Sequence, residues 1–296
     1  MNPMTQASPT SLNSPTALVP DSFVALMYHN LVSAGRTYPD LSPSVTSYFV
    51  SSDAFSAHLQ TVRAAGGVML PVNLLHAFYQ SDFPHGGECR SDEFGVVLTF
   101  DDGWADCVDA GGPALEQHGF QAILFVTTDL LGKPHFLARN DLSRLRKEVF
   151  YVGSHARSHR MLSLLGDDEI RAELLESKHL LEDGCGYEID LVSIPSGAVD
   201  ARVRRIAREV GYRFLFDSEV HVNKRGSSPF AIGRIAVMHD TPRQTIGRYV
   251  QQRIIRERVR RGVLQVPKRM LGLRNYEKLR RRMLGETSAQ RVTHES

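Results

Sequence analysis

Apolar residues in this chain fall into short runs separated by stretches with helical spacing. Phe94–Phe100 (FGVVLTF) is β-branched and aromatic and reads as a buried strand. Phe23–Tyr28, Val68–Leu70, Ala122–Val126, Val149–Val152, Leu191–Ile194, Phe214–Phe216 and Ile232–Val237 read the same way. Between them, Ser52-Asp53 can cap a helix whose inner face is Phe55, Leu59 and Val62 and which ends at Gly66-Gly67. Val72–Tyr79 is a second helix, and Ser81–Glu93 a polar Gly/Pro-punctuated loop. Ala105–Gln117 is helical but interrupted at Gly111-Gly112-Pro113, and Asp141–Lys147 is a shorter helix. Asp168–Asp183 places Ile170, Leu174, Leu175 and Leu181 on one face and is closed by Gly184. Asp200 caps a helix with Val203, Ile206 and Val210 inward and Gly211 at its end. Thr241, with Pro242 and Gln244 behind it, is a capping signature for the last helix of the body. About seven short strands alternating with helices predict a parallel βα array.

Composition refines this picture at the ends of the chain. The 296 residues suffice for one large α/β domain with appendages. Residues 1–20 are rich in Ser, Thr and Pro, with neither a basic start nor an apolar core, so a disordered lead-in is expected and no signal peptide. No run is long enough to cross a membrane, which makes the cytoplasm the default location. Three cysteines, Cys89, Cys107 and Cys185, without CxxC spacing read as reduced, incidental thiols. The overall charge of +2 hides an asymmetry: residues 251–296 hold 13 Lys/Arg against 4 Asp/Glu, a balance of +9, leaving −7 on the rest. The expected division is therefore a body over 21–250 and a basic helical extension over 251–296. Within the extension, Tyr276, Leu279 and Met283 share one face of Arg274–Leu284 among arginines. Two readings stand: a helix that leans on an anionic membrane surface, or a solvated helix folded back on the acidic body. With one aromatic and no recognised module, the extension is not read as binding nucleic acid.

Candidate chemistry gathers after the strands. Phe94–Phe100 ends in Asp101-Asp102-Gly103, two adjacent carboxylates where a buried parallel strand turns out toward solvent. Alone this is ordinary turn chemistry. Downstream, Gly153–His159 (GSHARSH) places two histidines four apart, on one helix face or around one point of a tight turn, a spacing common in zinc sites. One aspartate and two histidines supply three ligands and leave a position open for water, the composition of a catalytic site. Ser193-Ile194-Pro195-Ser196-Gly197 is a third piece, by itself a strand ending in a Pro/Gly turn. With sites at strand ends, a barrel is favoured over an open sheet.

Together, in this order and at these separations, the three pieces resemble the polysaccharide deacetylases of the NodB-homology group, carbohydrate esterase family four, over roughly residues 22–240. Leu26-Met27-Tyr28-His29, Glu173–Leu181 and Glu209–Tyr212 carry softer likeness. The resemblance implies a distorted, incomplete TIM-like (β/α)7 barrel. It implies Asp101 as general base and Asp102, His155 and His159 as ligands of a divalent metal whose bound water attacks the acetyl carbon. Zinc is the first choice for this donor set, and nickel or cobalt would also fit. A backbone N–H near Ser196, in the Pro195-Ser196-Gly197 turn, would hold the oxyanion. Trp104 is expected to pack at the mouth, with sugar stacking as its alternative role. His239 sits where the family often has the histidine that protonates the leaving amine; the plainer reading is a surface histidine before a helix. His29 is expected to be a satisfied structural histidine. Three positions depart from the family: Ser193 stands where an arginine usually steadies the catalytic aspartate, Ser196 replaces a tyrosine, and Ala156 replaces Ser/Thr. The function implied is metal-dependent removal of N-acetyl or O-acetyl groups from a polysaccharide or its lipid-linked precursor. The competing readings are a non-catalytic saccharide-binding scaffold, with a site weakened at Ser193 and Ser196, and an amidase acting on a small amide.

Overall fold

The computed structural model describes residues 19–80, 93–260 and 262. Its strands are β1 (Ser22–Tyr28), β2 (Asn30–Val32), β3 (Phe49–Ser51), β4 (Gly67–Met69), β5 (Phe94–Phe100), β6 (Ala122–Val126), β7 (Phe150–Ser154), β8 (Leu191–Ser193), β9 (Phe214–Phe216), β10 (Asn223–Lys224) and β11 (Arg234–Ala236). The helices are α1 (Pro43–Thr46), α2 (Ser52–Ala64), α3 (Val72–Tyr79), α4 (Ala105–His118), α5 (Asp167–Cys185), α6 (Ala201–Val210) and α7 (Arg243–Val250). The main sheet runs β1-β5-β6-β7-β8-β9 with every neighbouring pair parallel. β11 lies parallel on the free side of β1, while Ile232, just before it, bridges to Phe216 of β9. The sheet thus curls until its two ends meet through one short segment, as an incomplete barrel of seven strands would. β4 and the antiparallel β10 are attached outside this ring.

Alternation along each strand divides the core in two. Val24, Leu26 and Tyr28 of β1 and Val96, Leu98 and Phe100 of β5 face outward. They meet Phe55, Leu59 and Val62 of α2, Leu115 of α4 and Leu174 of α5. Phe23 and Ala25, Val97, Ile123 and Phe125, Leu191, Phe214 and Phe216 face the lumen, where Leu75 and Phe78 of α3 join them. On β5 the inward series runs Val97, Thr99, Asp101, from apolar at the bottom to charged at the top. The C-terminal ends of the strands therefore share one rim, and the chemistry lies there.

The predicted elements are found with shifts that have local causes. α2 begins one residue early, because the Ser51 hydroxyl, not Ser52 or Asp53, accepts from the Ala54 N–H at 3.2 Å. α4 runs unbroken through Pro113, carried by the packing of Cys107 and Leu115 on the sheet. Around 141–147 only a 3-10 turn forms, Arg139–Arg144, with Leu142 alone buried. Gly184 does not end α5: it lies inside the helix, where a Cβ would meet Leu142 Cδ1 at 2.7 Å, and Gly186 is the left-handed cap. Asp200 caps α6 as expected, accepting from Val203 N–H at 2.9 Å. Thr241 is no cap; its hydroxyl accepts from Met238 N–H, and Pro242 precedes α7. Ile254 belongs to the core, so the body's packing extends past residue 250. Residues 1–18, most of the loop 81–93, Cys89 and the segment Arg274–Leu284 lie outside the described residues. Cys107 and Cys185 are free thiols. No helix among the described residues is long and apolar enough to cross a membrane.

Candidate active site

Asp101 continues the β5 ladder, its N–H donating to the Tyr28 carbonyl at 3.0 Å. The chain then turns sharply: Asp102 and Gly103 have φ of 77° and 90°, a left-handed pair that costs little only at the glycine. The Thr127 N–H fixes the turn by donating to the Asp102 carbonyl at 3.2 Å. Trp104 is not a sugar platform. It is 2% exposed, packed between Phe49 and Phe136, and its indole N–H donates to Asp102 Oδ2 at 3.1 Å. It orients the carboxylate from inside.

The two histidines sit on a tight turn after β7, with no helix between them. Ala156 and His159 both adopt left-handed φ, 59° and 61°. His155 Nδ1 lies 2.9 Å from the Ser193 carbonyl, which can only accept, so Nδ1 carries the proton and Nε2 presents its lone pair to the site. His155 Nε2 is 3.6 Å and His159 Nε2 3.3 Å from Asp102 Oδ1, yet that oxygen, buried, makes no well-formed hydrogen bond. One ligand atom from each of the three residues lies within 4.8 Å of the others. Ligands at 2.0–2.1 Å from a tetrahedral ion are separated by about 3.3 Å. The two measured approaches to Oδ1 fit that edge length, so Asp102, His155 and His159 could hold one ion. Burial pushes the His155 imidazole down to about 4, against the pull of Asp101, and keeps it neutral as a ligand must be. Burial opposes ionisation of Asp102, but the imidazoles of His159, His29 and His155 outweigh it and hold its carboxyl well below the usual range. For His159 burial favours the neutral ring, and the close approach of the Asp102 carboxylate reverses this, raising its pKa.

Asp101 stands beside this cluster, its Oδ2 3.9 Å from His155 Nε2, and is held by a residue the sequence reading passed over. Arg234 of β11 reaches across the lumen and grips Asp101 with both arms, Nη1 to Oδ1 at 2.7 Å and Nη2 to Oδ2 at 2.9 Å. Its other donors go to the Thr99 hydroxyl at 3.3 Å, the Ser193 hydroxyl at 2.7 Å and, through Nε, the Asp217 carbonyl at 3.0 Å. All five N–H groups of this buried guanidinium are directed at acceptors. Burial would raise the pKa of Asp101; Arg234, then His155, override it, and the carboxyl stays below its ordinary value. The missing arginine at Ser193 is thus supplied from a different strand, with Ser193 hydrogen-bonded to it. A lone arginine in the apolar run Ile232–Val237 was the available signal.

The remaining candidates divide. Pro195–Gly197 forms a 3-10 turn directly after β8, with Pro195 buried, Ser196 exposed and at φ 57°, and Gly197 at φ 62°. His239 is exposed, and its Nδ1 and its backbone N–H both donate to the Ser47 carbonyl, at 3.0 and 2.9 Å. No described contact joins it to the carboxylates. His29, by contrast, is not satisfied: its Nδ1 is buried without a partner, and its ring packs on Tyr48 at 4.5 Å.

Comparison with known proteins agrees with this geometry. The sequence profile of the polysaccharide deacetylase family matches residues 90–215, the segment that carries Asp101, Asp102 and both histidines. Over that segment the chain is similar to the polysaccharide deacetylases, a family of hydrolases. It is 23% identical over 232 residues to the YxkH protein of Bacillus subtilis (strain 168), covering 78% of this chain and 77% of that one. A peptidoglycan-N-acetylglucosamine deacetylase of Bacillus cereus is 27% identical over 158 residues, which span 50% of this chain and 56% of the relative. Among solved structures, the Streptococcus pyogenes deacetylase PplD in complex with acetate superposes with a TM-score of 0.65 at 21% identity, over 79% of this chain and 98% of that one. IcaB from Ammonifex degensii follows at 0.64 and 20%, over 78% and 98%. At these identities the structural likeness establishes the fold: a mixed α/β, curled barrel of the deacetylase type.

Proposed function

We propose that this protein is a metal-dependent deacetylase that removes N-acetyl groups, or O-acetyl groups, from a sugar polymer or its lipid-linked precursor, with zinc as the resident ion and nickel or cobalt as alternatives. The observation that carries the reading is the Asp102–His155–His159 cluster set beside an Asp101 held ionised by Arg234. Asp102, His155 and His159 would hold a divalent ion, which would supply Lewis acidity toward the acetyl oxygen and toward water. Asp101, ionised and fixed in direction by two hydrogen bonds, accepts the proton that the attacking water gives up. A backbone N–H of the Pro195–Gly197 turn is the candidate donor to the oxyanion.

The proton for the leaving amine is assigned to His29 in preference to His239, since the His29 Nδ1 is buried without a partner just after β1, beside the end of β5 that carries Asp101, while His239 is tied to Ser47. His29→Gln is expected to lower kcat at least about 10²-fold and His239→Gln to leave it within a factor of two or so; the reverse ranking returns the role to His239. The non-catalytic scaffold loses its main support, because Arg234 fills the place that Ser193 left open.

Acetate release from N-acetylglucosamine oligomers tests the whole reading. Protein stripped of metal should be inactive and regain activity with zinc, and Asp101→Asn should bind zinc normally yet release acetate at most at about 1% of the wild-type rate. Equal rates for Asp101→Asn and wild type would remove the base assignment, and turnover of a small N-acetyl amide but no glycan would favour the amidase. A cytoplasmic location belongs to the same proposal, and cell fractionation tests it. So does peripheral contact of the basic extension with an anionic membrane. It is supported by Ile255 and Val259, one helical turn apart and 74% and 62% exposed, among exposed Arg253, Arg256, Arg258 and Arg260. Undiminished binding to anionic vesicles after removal of residues 265–296 combined with Ile255→Ser and Val259→Ser would count against it.

A further inference from the structure

The turn that carries both histidines has no ladder or helix to satisfy its backbone, and two of its residues sit in left-handed φ. Each N–H between the two histidines nevertheless has a side-chain acceptor. The Ala156 N–H donates to Ser154 Oγ at 3.1 Å, and that hydroxyl meets Ser177 of α5 at 2.7 Å. The Arg157 and Ser158 N–H groups both donate to Glu173 Oε2, at 3.1 and 2.8 Å, and the Ser158 hydroxyl donates to Glu173 Oε1. Glu173 and Ser177 are four residues apart on one face of α5. Glu173 is 2% exposed, and no lysine or arginine among the described residues forms an ion pair with it.

A buried carboxylate without a cation is costly and persists only when donors surround it. A neutral amide replaces it only in part: its oxygen can face the two N–H groups and its NH2 the Ser158 hydroxyl, but the charge that strengthens all three hydrogen bonds is lost. The three donors met by Glu173 all belong to Arg157 and Ser158, the two residues before His159. His159 in turn approaches Asp102 at 3.3 Å only while this turn keeps its shape.

We propose that Glu173 is a positioning residue for the metal-binding histidine pair, clamping the 155–159 turn so that His159 meets the ion together with Asp102 and His155. The inference rests on the metal reading of the site. Zinc affinity of the metal-free full-length protein, measured by competition with a chromophoric chelator, tests it without reference to turnover. Glu173→Gln is expected to weaken zinc binding about 10- to 100-fold and to change the visible absorption of the Co2+-loaded protein. Glu182→Gln is the control on the same helix: it removes the charge that pairs with Lys178 and weakens the acceptor of the Ile189 N–H. It should lower the melting temperature and leave zinc affinity unchanged. Zinc binding by Glu173→Gln equal to wild type overturns the proposal, as does an equal loss in Glu182→Gln. Should Glu173→Gln fail to fold, Ser158→Ala decides: weaker zinc binding supports the clamp, and unchanged binding overturns it. Failure of the wild-type protein to bind zinc would instead strike the metal reading itself.

Discussion

Arg234 joins three strands at one point: it comes from β11, holds Asp101 at the end of β5 and contacts Ser193 of β8. Lysine keeps the charge but not the fork. Arg234→Lys should therefore leave zinc content intact and lower kcat by about 10²-fold, the scale of a 1 Å misplacement. Arg234→Gln removes the charge, and the sign of its pH effect follows from Asp101. In the native protein the Asp101 pKa is depressed, so the pair stabilises the fold above the unfolded value of about 3.9 and loses this as pH falls through the folded value. Without the guanidinium the strongest opposition to burial is gone, and that pKa rises. The acid limb of the kcat/KM profile should move to higher pH, and urea unfolding at pH 7 should reveal a loss of about 3–5 kcal/mol. An unmoved acid limb would mean that Arg234 does not set the state of Asp101. Asp101, Asp102, His155 and His159 were legible because motif and spacing carry them locally. Arg234 was not, because its partner lies 133 positions away and only the curl of the sheet joins them. Trp104 packs at the mouth as expected, but that its indole N–H turns inward to Asp102 is visible only in the fold.

At the scale of elements, patterns that decide their own ends were read correctly. α6 starts at a side chain that caps it and stops at a left-handed glycine, Gly211. Asp200→Ala should cost about 1 kcal/mol, visible as a lower urea midpoint at constant m, by leaving the Val203 N–H without its acceptor. Thr241→Ala should not imitate a lost cap at α7, since that hydroxyl serves the Met238 N–H; a fraying of α7 in hydrogen exchange would restore the capping reading. Where the reading slipped, tertiary contacts overrode local signals. Gly184 looks like a stop but is the notch into which Leu142 fits, and the Gly-Gly-Pro run in α4 looks like a break but is held by its neighbours. The histidine turn was equally opaque. Its spacing permits a helix face, and the buried acceptors Ser154 and Glu173 that favour the turn come from β7 and α5.

For the molecule as a whole, the rim of the barrel joins charge and stability. In the metal-free protein the counter-charge to Asp102 is the proton on His159, which folding raises above its ordinary value. That contribution is fully present below the unfolded histidine value of about 6.5 and is lost as pH rises through the folded one. Asp102, whose pKa is lowered, contributes above about 3.9 and fails as pH falls. The metal-free rim is thus best satisfied in mildly acidic solution. A bound divalent ion replaces the proton, remains at alkaline pH, and competes with that proton for His159 at acid pH, so both effects have the same sign. The gap in melting temperature between zinc-loaded and metal-free protein should therefore widen from pH 5.5 to 8.5, and zinc uptake near pH 6.5 should release protons into weakly buffered solution. A gap independent of pH, with no proton release, would mean that His159 is not displaced by the ion and that the three ligands do not close on it together.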